Sequence, residues 1–174
     1  MGRAVNDFHR NRLCGLLSNH GGRVVIGNAN AHEDKNLLPT VVMEPSLDSP
    51  LMQEEIFGPI LPVYPFKDID DAIKFVVNKE KPLAVYYFGN SKSENARRVE
   101  KETFSGAYVT NDVFMHAASS FLPFGGVGYS GYGRYHGFEG FKQMSNAKSV
   151  LIKNPMTGWP YSVIFPPFTT EKQQ

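Results

Sequence analysis

Two stretches of the 174-residue chain gather the side chains able to do chemistry. The first, Met52-Gln53-Glu54-Glu55-Ile56-Phe57-Gly58-Pro59, sets adjacent carboxylates beside an aromatic ring and a Gly-Pro turn. A solvated loop charge is the ordinary fate of such residues, and alone the segment assigns no chemistry. The second stretch, Phe114 to Gly140, is dense in aromatics and glycines and includes His116 and His136 as candidate pocket walls.

Inside that second stretch, Gly126-Val127-Gly128-Tyr129-Ser130-Gly131 satisfies G-x-G-x-x-G. The pattern binds a dinucleotide only when a strand precedes it and a helix opens within it, so that free N–H groups meet the pyrophosphate. Here the approach is the short, proline-broken Ser119-Ser120-Phe121-Leu122-Pro123, and Asn146 stands near the position where an acidic residue should hold the ribose. A loop whose glycines take positive φ or admit another backbone explains the segment better. Cys14 lies in a helical pattern beside Leu13 and Leu17 and reads as a small core residue, not a nucleophile. His9, His20 and His32 have no metal-ligand spacing, so no metal site is expected.

Composition narrows the classes further. Eighteen Lys and Arg against 17 Asp and Glu leave a net charge of +1 without a block of like charge, which gives nucleic acid or an anionic membrane no footprint. One cysteine excludes an intrachain disulfide framework. With no apolar run of spanning length and no signal-peptide pattern, the sequence predicts a soluble, cytoplasmic protein.

These residues need elements to hold them. Asp7 is the expected cap of a helix over 7–19, stopped by Gly21-Gly22, and Arg23 to Ile26, Leu38 to Met43 and Ile60 to Phe66 read as strands. Pro62 pushes the last of these toward a sheet edge. Asp68 caps a helix whose Ile69, Ala72, Ile73, Val76 and Val77 form one apolar stripe. Leu83 to Phe88, apolar throughout, predicts a strand covered on both faces. A charged helix then runs to Glu102, Ser105 to Thr110 forms a strand, and Ser149 to Ile152 closes as a last one. The alternation predicts an α/β fold with a mostly parallel sheet flanked by helices over 1–153, followed by an extended aromatic and proline-rich arm over 154–174.

In combination, Gln53 to Pro59, Lys81-Pro82-Leu83-Ala84, Asn111-Asp112-Val113, Leu122 to Gly128 and Tyr135-His136-Gly137 resemble the aldehyde dehydrogenase superfamily in order and spacing. The Val127-Gly128 pair and Tyr135-His136-Gly137 are similar to its class 3 branch. Gly27-Asn28 departs from the two glycines usual there. The resemblance implies the C-terminal third of an enzyme in which a cysteine thiolate attacks an aldehyde, a hydride passes to NAD or NADP, and water hydrolyses the thioester. The nucleophile, the general-base glutamate and the nucleotide-binding domain would lie upstream, leaving this segment inactive alone.

By the same resemblance, Glu55 accepts hydrogen bonds from the nicotinamide ribose and Phe57 packs beside the nicotinamide. Phe124 lines the aldehyde tunnel, with Phe114, His116, Tyr135 and His136 as further walls, and Asn111 orients the substrate region through its amide. The strand near 106–110 and the arm imply a homodimer contact. Two other readings stay open: a non-catalytic truncated isoform or degenerate copy that binds a full-length subunit, and a small independent Rossmann reductase.

Overall fold

Leu13 and Leu16 recur on one side of helix α1 (Asp7–Leu16) and bury that side. Asn6 caps it, its Oδ1 accepting from the His9 backbone N–H at 3.0 Å. Asp7, the expected cap, is instead the first helical residue, because Asn6 already holds the extended backbone that a cap requires. The computed structural model describes residues 4–27, 37–152, 166 and 168–170. The polar stretch 29–36 with His32, Asn28, and the arm apart from residues 166 and 168–170 lie outside the described residues.

The chain divides into two compact units, Met1–Asn78 and Lys79–Gln174. In the first, β1 (Arg23–Ile26), β2 (Thr40–Met43) and β3 (Ile60–Val63) form a sheet in the order β1-β2-β3. β1 pairs antiparallel with β2, while β2 and β3 run parallel with Val42 opposite Pro62. Pro62, which lacks an N–H, thus sits in a strand with a partner on one side of this sheet, as its chemistry demands. A short helix α2 (Pro50–Gln53) precedes β3, and α3 (Ile69–Val77) follows it, its N-cap Asp68 accepting from the Asp71 N–H at 3.1 Å. Leu13, Leu16, Leu17, Leu37, Val42, Leu51 and Ile60 form the core. Each such side chain contributes about 1.5–3 kcal/mol by leaving water.

In the second unit β4 (Ala84–Tyr87) pairs parallel with β5 (Ala107–Thr110), and α4 (Glu94–Glu102), capped by Ser93, lies between them in sequence. The Tyr108 hydroxyl donates to the Ala96 carbonyl at 3.0 Å, which fastens β5 to α4. Two short helices follow, α5 (Met115–Ala118) and α6 (Gly137–Gln143), with a 3-10 turn at Gly128–Ser130 between them.

Three further expectations change. The α/β character holds, and parallel pairing holds for two of the pairs, but it is divided between two small sheets and β1 adds an antiparallel edge. Leu83 to Phe88 is not covered on both faces within its unit: Leu83, Tyr86 and Phe88 are exposed. An apolar run reports what a strand can bury, not what covers it. Ser149 to Ile152 carries no strand pairing among the described residues, and Val150, Leu151 and Ile152 are exposed.

Candidate functional site

In the first unit, the chain between α2 and β3 forms a ledge tied to α1. Arg12, its side chain 24% exposed, donates from Nη1 to Glu54 Oε1 at 3.0 Å and to the Glu55 carbonyl at 3.3 Å, and from Nη2 to the Ile56 carbonyl at 2.6 Å. The next residue of the helix, Leu13, lies so close to Gly58 that a Cβ there would stand 2.4 Å from Leu13 Cδ2. Only a residue without a Cβ fits that approach unless Leu13 moves.

The two adjacent acids therefore have different settings. Glu54 is the ion-pair partner of Arg12, whereas the exposed Glu55 carboxylate makes no hydrogen bond or ion pair among the described residues. Phe57 holds φ 43°, a left-handed conformation uncommon outside glycine, and presents a ring that is 79% exposed. The ledge thus offers a hydrogen-bond acceptor beside an exposed apolar face. Cys14 packs against the leucine core on the same helix, in the setting of a structural thiol.

In the second unit, Asp112 organises the start of α5. Its Oδ1 accepts from the Val113, Phe114 and Met115 N–H groups at 2.6, 3.1 and 3.3 Å. Those backbone donors, Phe114 and Met115 first, hold its carboxyl below the usual carboxylate range, and the charge of His116 pulls in the same direction. Asn111, at φ 58°, engages its amide with one residue: Oδ1 accepts from the Gly89 N–H at 2.8 Å and Nδ2 donates to the Gly89 carbonyl at 2.9 Å. That pair ties the end of β5 to the turn after β4.

Three of the predicted wall residues converge on the ring of a fourth, Phe124. Phe124 lies 5.6 Å from His116, 5.7 Å from Tyr135 and 5.9 Å from His136 between centroids, and Tyr86 of β4 lies 5.8 Å from His116. Tyr135 and His136 are 4.1 Å apart, and paired 2.9 Å backbone hydrogen bonds join Phe124 to Tyr135. Both ring nitrogens of His116 and Nδ1 of His136 are hidden from solvent without a hydrogen-bond partner among the described residues. Phe114 stands apart, 70% exposed and outside these ring contacts. A cavity of about 720 Å³ is lined by Phe124 with Leu83, Tyr132, Arg134, Tyr135 and Met144.

The glycine segment folds back on itself. The Arg134 guanidinium donates to the Gly126 and Gly133 carbonyls, and a Cβ on Gly126 would stand 2.0 Å from the Ser130 carbonyl oxygen. No strand leads into it, since Phe124 makes only an isolated antiparallel bridge to Tyr135. It is a close-packed loop and lacks the geometry of a dinucleotide fingerprint. Arg12 and Tyr86 are not legible in the sequence: a basic residue or tyrosine within a helix or strand pattern has no local mark of a partner far along the chain.

A family model described as Aldehyde dehydrogenase family matches residues 1–150. The chain is 43% identical over 170 residues to aldehyde dehydrogenase family 3 member B1 of Rattus norvegicus, covering 98% of this chain and 36% of that protein. It is 38% identical over 166 residues to the dimeric, NADP-preferring aldehyde dehydrogenase of the same species, covering 95% of this chain and 36% of that one. Among solved structures, the substrate-bound state of Staphylococcus aureus AldH superposes with a TM-score of 0.78 at 38% identity, covering 99% of this chain and 37% of that chain.

The chain belongs to the aldehyde dehydrogenase family. Its similarity to family 3 members places it with the class 3 branch, in agreement with Val127-Gly128 and Tyr135-His136-Gly137. It spans about a third of the length of the curated relatives it matches.

Proposed function

We propose that this chain is the cofactor-facing and substrate-facing portion of an enzyme that oxidises an aldehyde to a carboxylic acid with NAD or NADP. The observation that carries the reading is the ledge at 54–57, where Arg12 engages Glu54 and leaves Glu55 as an acceptor beside the exposed Phe57 ring. These residues fit a nicotinamide nucleotide. Glu55 would accept from the ribose hydroxyls, and Phe57 would lie against the nicotinamide face. When bound, the cofactor supplies the hydride acceptor.

In the second unit, Phe124, Tyr135, His116 and His136 would form the wall against the aldehyde's organic part, with Phe114 a further, looser contact. Asn111 serves that wall by fixing the strand end from which α5 starts. Cys14, packed on the core, does not supply the nucleophile, so the thiol belongs to sequence outside this chain and the chain alone does not turn over aldehyde. A homodimer contact through the β5 edge belongs to the same reading, supported by the relative whose name calls it dimeric.

The test is Glu55→Gln in the aldehyde-oxidising polypeptide that contains this chain. The amide keeps the shape and loses the charge, so the KM for NAD(P)+ should rise about tenfold, the worth of one charge-assisted hydrogen bond. Unchanged cofactor kinetics would remove Glu55 from the site.

A further inference from the structure

We infer that Arg12 is a positioning residue for cofactor binding, acting through the backbone it holds. This rests on the reading of Glu55 and Phe57 just given, and adds a residue that neither the motif nor the resemblance assigns.

Arg12 lies on α1, while its three acceptors lie 42 to 44 residues further along the chain. The guanidinium engages three consecutive residues: the carboxylate of 54, the carbonyl of 55 and the carbonyl of 56. Its planar fork can satisfy two carbonyls and one carboxylate together, a task that a point charge on a flexible stem cannot perform. Each contact bears on what the ligand would meet. The bond to Glu54 decides which of two neighbouring acids is occupied and which is free. The bonds to the 55 and 56 carbonyls fix the peptide planes on either side of Ile56, and so set the direction in which the chain delivers Phe57 in its left-handed conformation.

Without Arg12, the segment before Gly58 loses its hydrogen-bonded tether to α1. The segment would then sample the extended conformations that a phenylalanine prefers, and Glu54 would compete with Glu55 as the free acceptor. α1 itself is held independently by Leu13, Leu16 and Leu17 in the core. Removal of Arg12 should therefore loosen the ledge and leave the helix in place.

Two variants test this, Arg12→Met, which keeps the packing length of the side chain, and Arg12→Lys, which keeps the charge without the fork. In the 174-residue chain, amide hydrogen exchange at residues 54–58 should accelerate about tenfold or more in Arg12→Met, with an intermediate gain in Arg12→Lys and no change across residues 13–16. In the aldehyde-oxidising polypeptide that contains the chain, titration with NADH and NADPH should show about tenfold weaker binding in Arg12→Met, and the cofactor KM should rise while the aldehyde KM holds.

Exchange unchanged at 54–58 overturns the inference, as does faster exchange with unaltered cofactor affinity. Faster exchange throughout α1, with both KM values rising together, also overturns it by reducing Arg12 to a fold-stabilising residue. Glu55→Gln run in parallel separates the two claims. If it weakens cofactor binding and Arg12→Met does not, only the Arg12 inference falls. If Glu55→Gln has no effect, the reading of the ledge falls whatever Arg12 does.

Discussion

Around Glu55 the backbone is fixed by directional bonds from one guanidinium, whereas around Phe124 the side chains are fixed by ring edges and faces, with three imidazole nitrogens left unpaired. The first arrangement tolerates little angular error, because hydrogen bonds weaken steeply off axis. The second can shift by fractions of an ångström at small cost, since ring contacts are broad in geometry and modest in energy. A fixed ledge suits a ligand that is the same in every turnover. An adaptable aromatic wall suits one whose organic part varies.

The contrast can be broken at several points. The largest effect is expected where the aromatic segment is tightest: Gly126→Ala drives a Cβ into the Ser130 carbonyl and should cost about 3 kcal/mol in urea unfolding. Phe124→Ala removes the ring that His116, Tyr135 and His136 share, at about 2 kcal/mol because the site is only half-buried. It should also raise the aldehyde KM of the complete enzyme and leave that for cofactor alone. Gly58→Ala meets the movable end of Leu13, so about 1 kcal/mol is expected from the same unfolding measurement.

A smaller effect should appear with pH. The folded-state pKa of Asp112 is lowered by its three backbone donors, so its contribution is present above the ordinary carboxylate range and fades as the pH falls through the folded value. Circular dichroism followed downward from about pH 5 should therefore show a flatter acid transition in Asp112→Asn than in the parent chain. Superimposable curves would mean that these three hydrogen bonds to Asp112 add nothing. The smallest change is expected for Glu55→Gln in unfolding of the 174-residue chain, within about 0.5 kcal/mol, because its carboxylate touches nothing else described. A larger loss would show that Glu55 supports the fold and would blur the contrast with Glu54.

What the sequence discloses of this fold follows where local chemistry suffices. Asp68 and the Ile69 to Val77 stripe mark α3 because cap and periodicity both lie within one segment. The parallel pairing of β4 and β5 is implied by the helix between them. The short helices α2 and α5 escape notice because four residues cannot show a helical period, and α5 exists through the acceptor on Asp112. Ser149 to Ile152 has strand composition but no paired neighbour among the described residues, because composition does not say what a segment pairs with. At the site, the candidate side chains are legible as residue types, and their resemblance to a known motif gives them roles. The division of labour between Glu54 and Glu55 is not legible, since it is imposed by Arg12 from a distant helix.

Phe57 combines a left-handed backbone with a ring almost wholly in water, two features that each work against folding. Glycine would sit at that Cα without steric penalty and expose no hydrocarbon, so by conformational preference alone the aromatic is a poor occupant, by about 1 kcal/mol. Stability and ligand contact are thus opposed at a single position. Any screen of this chain for heat resistance should favour losing the ring there, and so, on the proposed role of Phe57, select variants that fold better and hold the cofactor worse.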